Sequence, residues 1–358
     1  MTSARPASER GIVLVTGATG FAGGHLARTL ARRGYAVRVL ARAPKRATAL
    51  ADLGIEITQG DLLNAADVER AVRGVSHVYH LAALYREARY PDRTYWDVNV
   101  GGTERILAAA RQHGVARVVH CSTVGVHGDV EAIPSDETAP FAPGDIYQRT
   151  KLEAEQRVQD AIQRGLPGTI FRPVGIYGPG DLRFLKLFKT IHTGRFRMIG
   201  SGKVRYHLTY VDDLVDGIIL CGEVPAARAN TYILAGPRHT TVEELVELVA
   251  GAVGCRPPQG HVPLWPVRVA AHLCELVCKP LGIEPPLHRR RLDFFEKDRA
   301  FSTDKARADL GFVPRIDLEA GLARTAQWYF ETGHLVRRPA PASGQTPAPR
   351  RQSQHETN

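Results

Sequence analysis

An apolar run followed by three glycines, Val13-Leu14-Val15-Thr16-Gly17-Ala18-Thr19-Gly20-Phe21-Ala22-Gly23, restricts the fold more than any other stretch. Ile12 to Val15 reads as a buried strand, and Phe21 to Arg33 has helical periodicity. A strand that turns on glycine into a helix leaves backbone N–H groups free at the helix N-terminus, where the helix dipole favours an anion. Gly17 can make the tight turn, Gly20 lets a ligand approach the backbone, and Gly23 lets the helix sit close on the strand. The strand before and the helix after supply the context that a bare glycine triplet lacks. We read the stretch as the pyrophosphate seat of a dinucleotide, with Thr19 and Phe21 among the contacts.

The chain then repeats strand and helix at short spacing. Ala36 to Ala41 is a second strand, followed directly by Arg42. At this place in a dinucleotide fold an acid prefers a free ribose 2′-hydroxyl, whereas arginine accommodates a 2′-phosphate. No Asp or Glu lies between Gly34 and Ala51, while Arg42, Lys45 and Arg46 cluster, so NADP is favoured over NAD. The alternative is three solvated charges on a loop. Ile55 to Thr58 is a third strand ending at Gly60-Asp61-Leu62; Asp61 either caps the next helix or accepts from an adenine amino group. His77 to Leu81 is a fourth strand, ending at Ala82-Ala83, whose small side chains let a cofactor lie against the backbone. Trp96 to His113 is a helix closed by Gly114, Arg117 to Ser122 a fifth strand, Ile146 to Arg164 a helix, and Thr169 to Arg172 a sixth strand cut by Pro173. This alternation predicts a Rossmann-type α/β fold, a doubly wound parallel sheet with helices on both faces.

Beyond Pro173 the rhythm breaks. Gly175 to Gly180 reads as a loop, Phe184 to Thr193 as a helix, Arg195 to Ile199 as a strand, and Tyr210-Val211-Asp212-Asp213 as the start of another helix. Thr231 to Leu234 is a strand, Val242 to Val253 a helix, and Pro266 to Pro280 an apolar helical region. The expected organisation is a disordered N-terminus (1–10), a dinucleotide-binding domain (11–174), a smaller α/β substrate lobe (175–334) and a disordered, basic, proline-rich tail (335–358). With 44% hydrophobic residues the chain can bury a full core, and no apolar run approaches the ~18 residues of a membrane span. The polar N-terminus and five scattered cysteines make a cytoplasmic protein without disulfides the default, with Cys274 and Cys278 expected to be buried thiols and no metal site. The net charge of +10 is spread through the chain without a nucleic-acid-binding motif, which favours an anionic cofactor over nucleic acid.

Tyr147 and Lys151 carry the chemistry. At i and i+4 on one helix their side chains share a face. A phenol is a poor base near neutrality, but a nearby ammonium favours the phenolate, so the pair can exchange a proton with an alcohol oxygen. Thr123 follows the fifth strand, where active-site groups of open α/β sheets gather, and its hydroxyl can hold the substrate oxygen.

With these residues in order, the chain resembles the extended short-chain dehydrogenases/reductases of the NAD(P)-dependent epimerase/dehydratase group. The likeness rests on Thr16 to Gly23, Gly60-Asp61-Leu62, His80-Leu81-Ala82-Ala83, Asn99-Val100-Gly101-Gly102-Thr103, Cys121-Ser122-Thr123, Tyr147 to Lys151, Arg172-Pro173 with Tyr177-Gly178-Pro179-Gly180, and Tyr210-Val211-Asp212-Asp213. The resemblance implies Tyr147 as general acid/base, Lys151 as its partner and the nicotinamide-ribose contact, and Thr123 as the hydroxyl beside the substrate oxygen. It also implies Asn99 on the proton path, unless that side chain is simply satisfied by backbone. Gly17, Gly20 and Gly23 would seat the pyrophosphate, Asp61 and Leu62 would contact adenine, and Leu81, Ala82, Ala83 and Pro173 would line the cofactor. The implied reaction is hydride exchange at a carbon bearing a secondary hydroxyl, in a homodimer built on the Tyr147 helix.

The departures from that pattern bear on the substrate. Val124 and Gly125 follow Thr123 where dehydratases of the group carry Asp-Glu. Gly175 stands where nucleotide-sugar enzymes often have Asn, Tyr206 stands in place of an arginine, and His127 in place of a tyrosine. The run His288-Arg289-Arg290-Arg291 is either a diphosphate grip or a solvated basic turn. The leading expectation is an epimerase acting on a nucleotide-linked sugar. The alternative is a ketoreductase or 3β-hydroxysteroid-type dehydrogenase on an apolar substrate, with the apolar stretch from Val262 to Val277 lining a pocket, touching a membrane or packing as a lid. A third reading is a cofactor-sensing or RNA-binding relative without turnover.

Overall fold

Strand β1, Ile12–Thr16, is apolar on both faces because helices cover both sides of the sheet it occupies. Val13 and Val15 enter one core and Leu14 the other. The structure, a computed structural model, describes residues 11–85, 90–278 and 289–337. Strands β2 (Ala36–Ala41), β3 (Glu56–Gln59), β4 (Val75–His80), β5 (Arg117–Cys121) and β6 (Gly168–Pro173) follow. A seventh, later strand, Thr231–Leu234, completes the sheet. The order is Thr231–Leu234, β6, β5, β4, β1, β2, β3, and every pairing is parallel. The order reverses between β1 and β4, and the glycine turn leaves β1 at that reversal, where ligands of open α/β sheets bind.

The expected strand–helix alternation therefore holds through β6, with one irregularity. The helix expected from Trp96 begins with a π-helical turn, Trp96–Gly101, before regular helix Gly102–Gln112. The wide turn carries Asn99, and π-turns inside helices frequently accompany functional sites.

The second half departs more from expectation. Gly175–Tyr177, read as loop, is a strand, and Arg205–Tyr210 and His239–Thr241 complete a three-stranded sheet with it. Of the strand expected over Arg195 to Ile199 only Met198–Ile199 forms, pairing with His261–Val262. Segment 175–334 was expected to lie wholly in the second lobe. Instead Thr231–Leu234 pairs with β6, and helix Val211–Glu223 buries Leu214, Val215 and Ile218 in the core beneath β1. The second lobe has its own core around Phe188, Val246, Leu322 and Tyr329. Leu335 is buried in that core and the Val336 carbonyl accepts from His192 Nε2, so packing continues past the expected boundary at Leu335. The N-terminal and tail segments at 1–10 and 338–358 lie outside the described residues.

Helix Leu264–Cys278 does not pack as a lid. Trp265, Val269, Leu273, Leu276 and Val277 are exposed, and only Ala271 is buried. Cys274 and Cys278 are half-buried rather than buried, with thiols 3.9 Å apart. The expected basic turn is a helix from Arg289 to Glu296; His288 lies outside the described residues.

Candidate active site

The turn after β1 has the geometry a diphosphate needs. Gly17 adopts φ +77°, and a Cβ there would lie 2.8 Å from the Ala82 nitrogen. A Cβ on Gly23 would meet the Gly17 carbonyl oxygen at 2.3 Å, so helix Phe21–Arg32 can approach the turn only without that atom. Gly20 is the N-cap; no side chain caps the helix and no acid occupies its first turn. A bare, cationic helix end beside glycine backbone fits a dinucleotide pyrophosphate. Thr19 is exposed at the rim of this turn.

One cavity of about 480 Å³ joins the turn to Thr123 and Tyr147; Lys151 and Asn99 lie behind its wall. Gly17, Gly20, Phe21 and Gly23 line one end; Leu81, Ala83 and Pro173 lie along it; Thr123 and Tyr147 line it further on. The phenol and the glycine turn therefore face the same space. Arg42 and Asp61 line a second cleft at the ends of β2 and β3, together with Gln59 and Arg70. Asp61 does not cap the following helix: Asn64 accepts from Ala66 N and Asp67 N, while Asp61 Oδ1 accepts from Leu63 N at 3.0 Å. Leu62 is buried in the core and Ala82 packs against it.

Helix Ile146–Gln163 positions Tyr147 and Lys151. It starts at Asp145, whose side chain accepts from Gln148 N at 2.8 Å. Tyr147 is 9% exposed. Lys151 is buried and its Nζ donates to the Cys121 carbonyl at the end of β5; burial lowers its pKa. Thr123 Oγ1 accepts from Gly125 N at 3.0 Å, which leaves its proton to donate into the cavity. Asn99 is held away from solvent: Oδ1 accepts from Leu84 N at 2.7 Å and Nδ2 donates to Thr150 Oγ1 at 3.0 Å. The side chain clamps the 84 loop to the Tyr147 helix.

Two groups escaped the sequence reading. Arg183 lines the cavity with its guanidinium over Phe21 and Tyr85, donating to Asp181 Oδ1 at 2.6 Å and to the Ile176 carbonyl at 2.8 Å. His80, quoted only as part of a motif, has a defined tautomer. Thr103 Oγ1 donates to the Asn99 carbonyl and so accepts from His80 Nε2 at 3.1 Å; in the neutral ring Nδ1 is then the acceptor and takes the proton of Thr16 Oγ1 at 2.7 Å, while Thr16 Oγ1 accepts from Ala82 N. Burial pushes its pKa down to about 3. The neutral ring thus links β1 to the π-turn. No sequence signal distinguishes such a bridge from an ordinary core histidine.

Fold and site together define a nicotinamide-dependent oxidoreductase built on a dinucleotide-binding sheet. The chain belongs to the NAD dependent epimerase/dehydratase family, whose sequence model matches residues 13–235. Among curated proteins it is 33% identical over 352 residues to a 3 beta-hydroxysteroid dehydrogenase/Delta 5-->4-isomerase of Mycobacterium tuberculosis, covering 92% of this chain and 93% of the relative. It is 31% identical over 314 residues to a 4-hydroxy-2-methyl-3-oxo-4-farnesyl-3,4-dihydroquinoline-1-oxide ketoreductase of Stigmatella aurantiaca, covering 86% and 93%. Among solved structures, MoeE5 in complex with UDP-glucuronic acid and NAD is 28% identical, with a TM-score of 0.71 over 90% of this chain and 100% of the other.

Proposed function

We propose that the protein interconverts a ketone and a secondary alcohol on an apolar substrate, with NADP(H) as cofactor. The observation that carries this reading is the apolar share of the cavity wall beyond Tyr147, where Val124, Val174, Ile176, Phe184 and Tyr206 stand beside the polar Gln148, Arg183, His207 and Arg299. Gly175 supports it, because the amide side chain that nucleotide-sugar enzymes often carry there is missing, and a Cβ would meet Leu208 Cδ2 at 2.7 Å and the Tyr206 ring at 3.3 Å, so those side chains take its place. The two curated relatives above are named for a farnesyl-bearing oxo compound and for a hydroxysteroid, which supports the same reading.

In this reading the residues divide the work. Gly17, Gly20 and Gly23 with Thr19 and Phe21 take the pyrophosphate. Asp61 and Leu62 meet the adenosine end, where Arg42 neutralises a 2′-phosphate. Leu81, Ala82, Ala83 and Pro173 bound the nicotinamide side. The nicotinamide supplies or accepts the hydride. Tyr147 gives a proton to the ketone oxygen, or takes it from the alcohol, while Thr123 donates a hydrogen bond to that oxygen. Lys151, held by the Cys121 carbonyl, lends positive charge to the helix face and the ribose. The homodimer expected through helix Ile146–Gln163 belongs to the same proposal.

A nucleotide-linked sugar is the second reading, favoured by the likeness to MoeE5. Turnover of 3-keto steroids and of UDP-sugars, followed by nicotinamide absorbance and by product analysis, separates the two. We expect NADPH oxidation with the apolar ketone and none with UDP-sugar; conversion of the sugar alone would reverse the assignment. Tyr147→Phe should lower kcat by about 10²–10⁴-fold while cofactor affinity stays within about twofold. Full turnover in that variant would remove Tyr147 from the mechanism.

A further inference from the structure

Among the described residues, five of the large apolar side chains that face solvent stand on one helix, Leu264–Cys278. Trp265, Val269, Leu273, Leu276 and Val277 are between 52% and 71% exposed. Steps of four, four, three and one residues put them on one stripe, while the opposite side of the helix packs inward at Ala271. Exposed apolar residues scattered singly are ordinary, but a contiguous stripe marks a surface that meets a partner. Charge indicates which partner. Every exposed residue of the helix is apolar or basic, with Arg268 and His272 along one edge of the stripe, and its one acid, Glu275, is half-buried. Arg268 Nε donates to Glu296 Oε1 at 2.7 Å, yet the arginine stays 59% exposed and the glutamate only 18%, so the cation is the member turned outward. That contact ties the helix to its neighbour Arg289–Glu296, which opens with three arginines. Phe294 of the neighbour packs edge-on against Tyr206 in the cavity wall, with ring centroids 5.1 Å apart.

We propose that this stripe rests on an anionic phospholipid surface, with the helix lying along the bilayer interface and Arg268 at head-group level. A face of Trp, Leu and Val edged by cations and free of exposed acids is the pattern of an interfacial helix, and an anionic leaflet attracts a chain whose net charge is +10. The contact is peripheral. With 15 residues the helix is about 22 Å long, short of the ~30 Å hydrocarbon core, and none of the described helices can cross a membrane. A second copy of the chain fits less well, because pairing two such faces brings no exposed acid of the helix to meet Arg268. The inference stands apart from the identity of the substrate.

Co-sedimentation of the full-length protein with vesicles tests this. One arm uses equal parts of phosphatidylglycerol and phosphatidylcholine, the other phosphatidylcholine alone. The mixed vesicles should bind the protein at least about tenfold more tightly than the neutral ones. The double variant Val269→Glu with Leu273→Glu changes only exposed positions. It should keep its melting temperature and bind mixed vesicles at least about tenfold more weakly. Arg268→Gln should weaken that binding about fivefold, the share of one arginine near an anionic surface. In the wild-type protein, mixed vesicles should slow amide exchange over residues 264–278 more than in helix Phe21–Arg32, a reading that holds even if a variant misfolds. No binding to either vesicle, equal binding to both, or undiminished binding of the double variant would each overturn the proposal. So would self-association in solution that the double variant abolishes while vesicles stay unbound; the stripe would then be an interface between copies of this chain. Each of these results leaves the hydride-transfer reading as it stands.

Discussion

Gly23 is the residue on which the cofactor seat depends most narrowly. The 2.3 Å separation between a hypothetical Cβ and the Gly17 oxygen is far inside van der Waals contact, and both atoms of the clash are tied to backbone. Gly23→Ala should force the helix outward, cost about 1–3 kcal/mol of stability and weaken NADPH binding in a fluorescence titration. Unchanged affinity would show that the turn tolerates the shift. The glycines were legible in the sequence because each role leaves a fixed spacing between strand and helix. Arg183 was not, because it reaches the cavity from a segment whose placement depends on the second lobe. Asp61 illustrates a subtler limit. An aspartate before a helix reads equally as cap or loop residue, and Asn64, three positions on, makes the cap.

At the scale of elements, helix Ile146–Gln163 must hold Tyr147 steady against the sheet. A buried ion pair does much of this. Arg172 and Glu155 are 2% and 0% exposed and 2.5 Å apart, and Arg172 Nη1 also donates to His127 Nε2 at 3.0 Å. With Nε2 accepting from Arg172 and Nδ1 donating to the Pro140 carbonyl the ring is neutral, and burial, then the Arg172 charge, lowers its pKa. Glu155→Gln leaves an arginine charge uncompensated in the core. It should cost about 3–5 kcal/mol in denaturant unfolding. A loss below about 1 kcal/mol would mean that His127 and the Glu137 carbonyl, which accepts from Arg172 Nη1 at 2.9 Å, suffice for Arg172. The helix and both strands it bridges were readable from hydrophobic period alone. The short strands Gly175–Tyr177 and His239–Thr241 were not: three residues give no period, and glycine at 175 reads as a turn.

Over the whole molecule, the sheet and the second lobe are joined by polar latches. His25, on the glycine-turn helix, donates from Nε2 to the Pro179 carbonyl at 3.0 Å and faces Asp212 at 3.4 Å, while Asp213 accepts from Arg315 N and Ile316 N. The Tyr-Gly-Pro-Gly and Tyr-Val-Asp-Asp motifs thus fasten the second lobe to the sheet. Buried histidines make the assembly sensitive to acid. Burial lowers His80 to about 3 and His207 to about 4, against an ordinary value near 6.5. The unfolded chain takes up those protons first, so stability is full above about pH 6.5 and falls as pH drops from there toward 4, by up to about 1.4 kcal/mol per unit for each histidine. Melting temperatures should decline steadily across that window, and His80→Gln should flatten the slope; a pH-independent melting temperature between 6.5 and 4 would contradict the burial of both rings.

The account turns on a nicotinamide lying beside Tyr147 in the cavity that begins at the glycine turn. A crystal structure of the protein with bound NADPH tests this directly. The account predicts the diphosphate on the Phe21–Arg32 helix end and the nicotinamide ring between Pro173 and Tyr147, with its hydride-transferring carbon facing the space beside the phenol. A cofactor seated elsewhere, or a ring turned away from Tyr147, would contradict it.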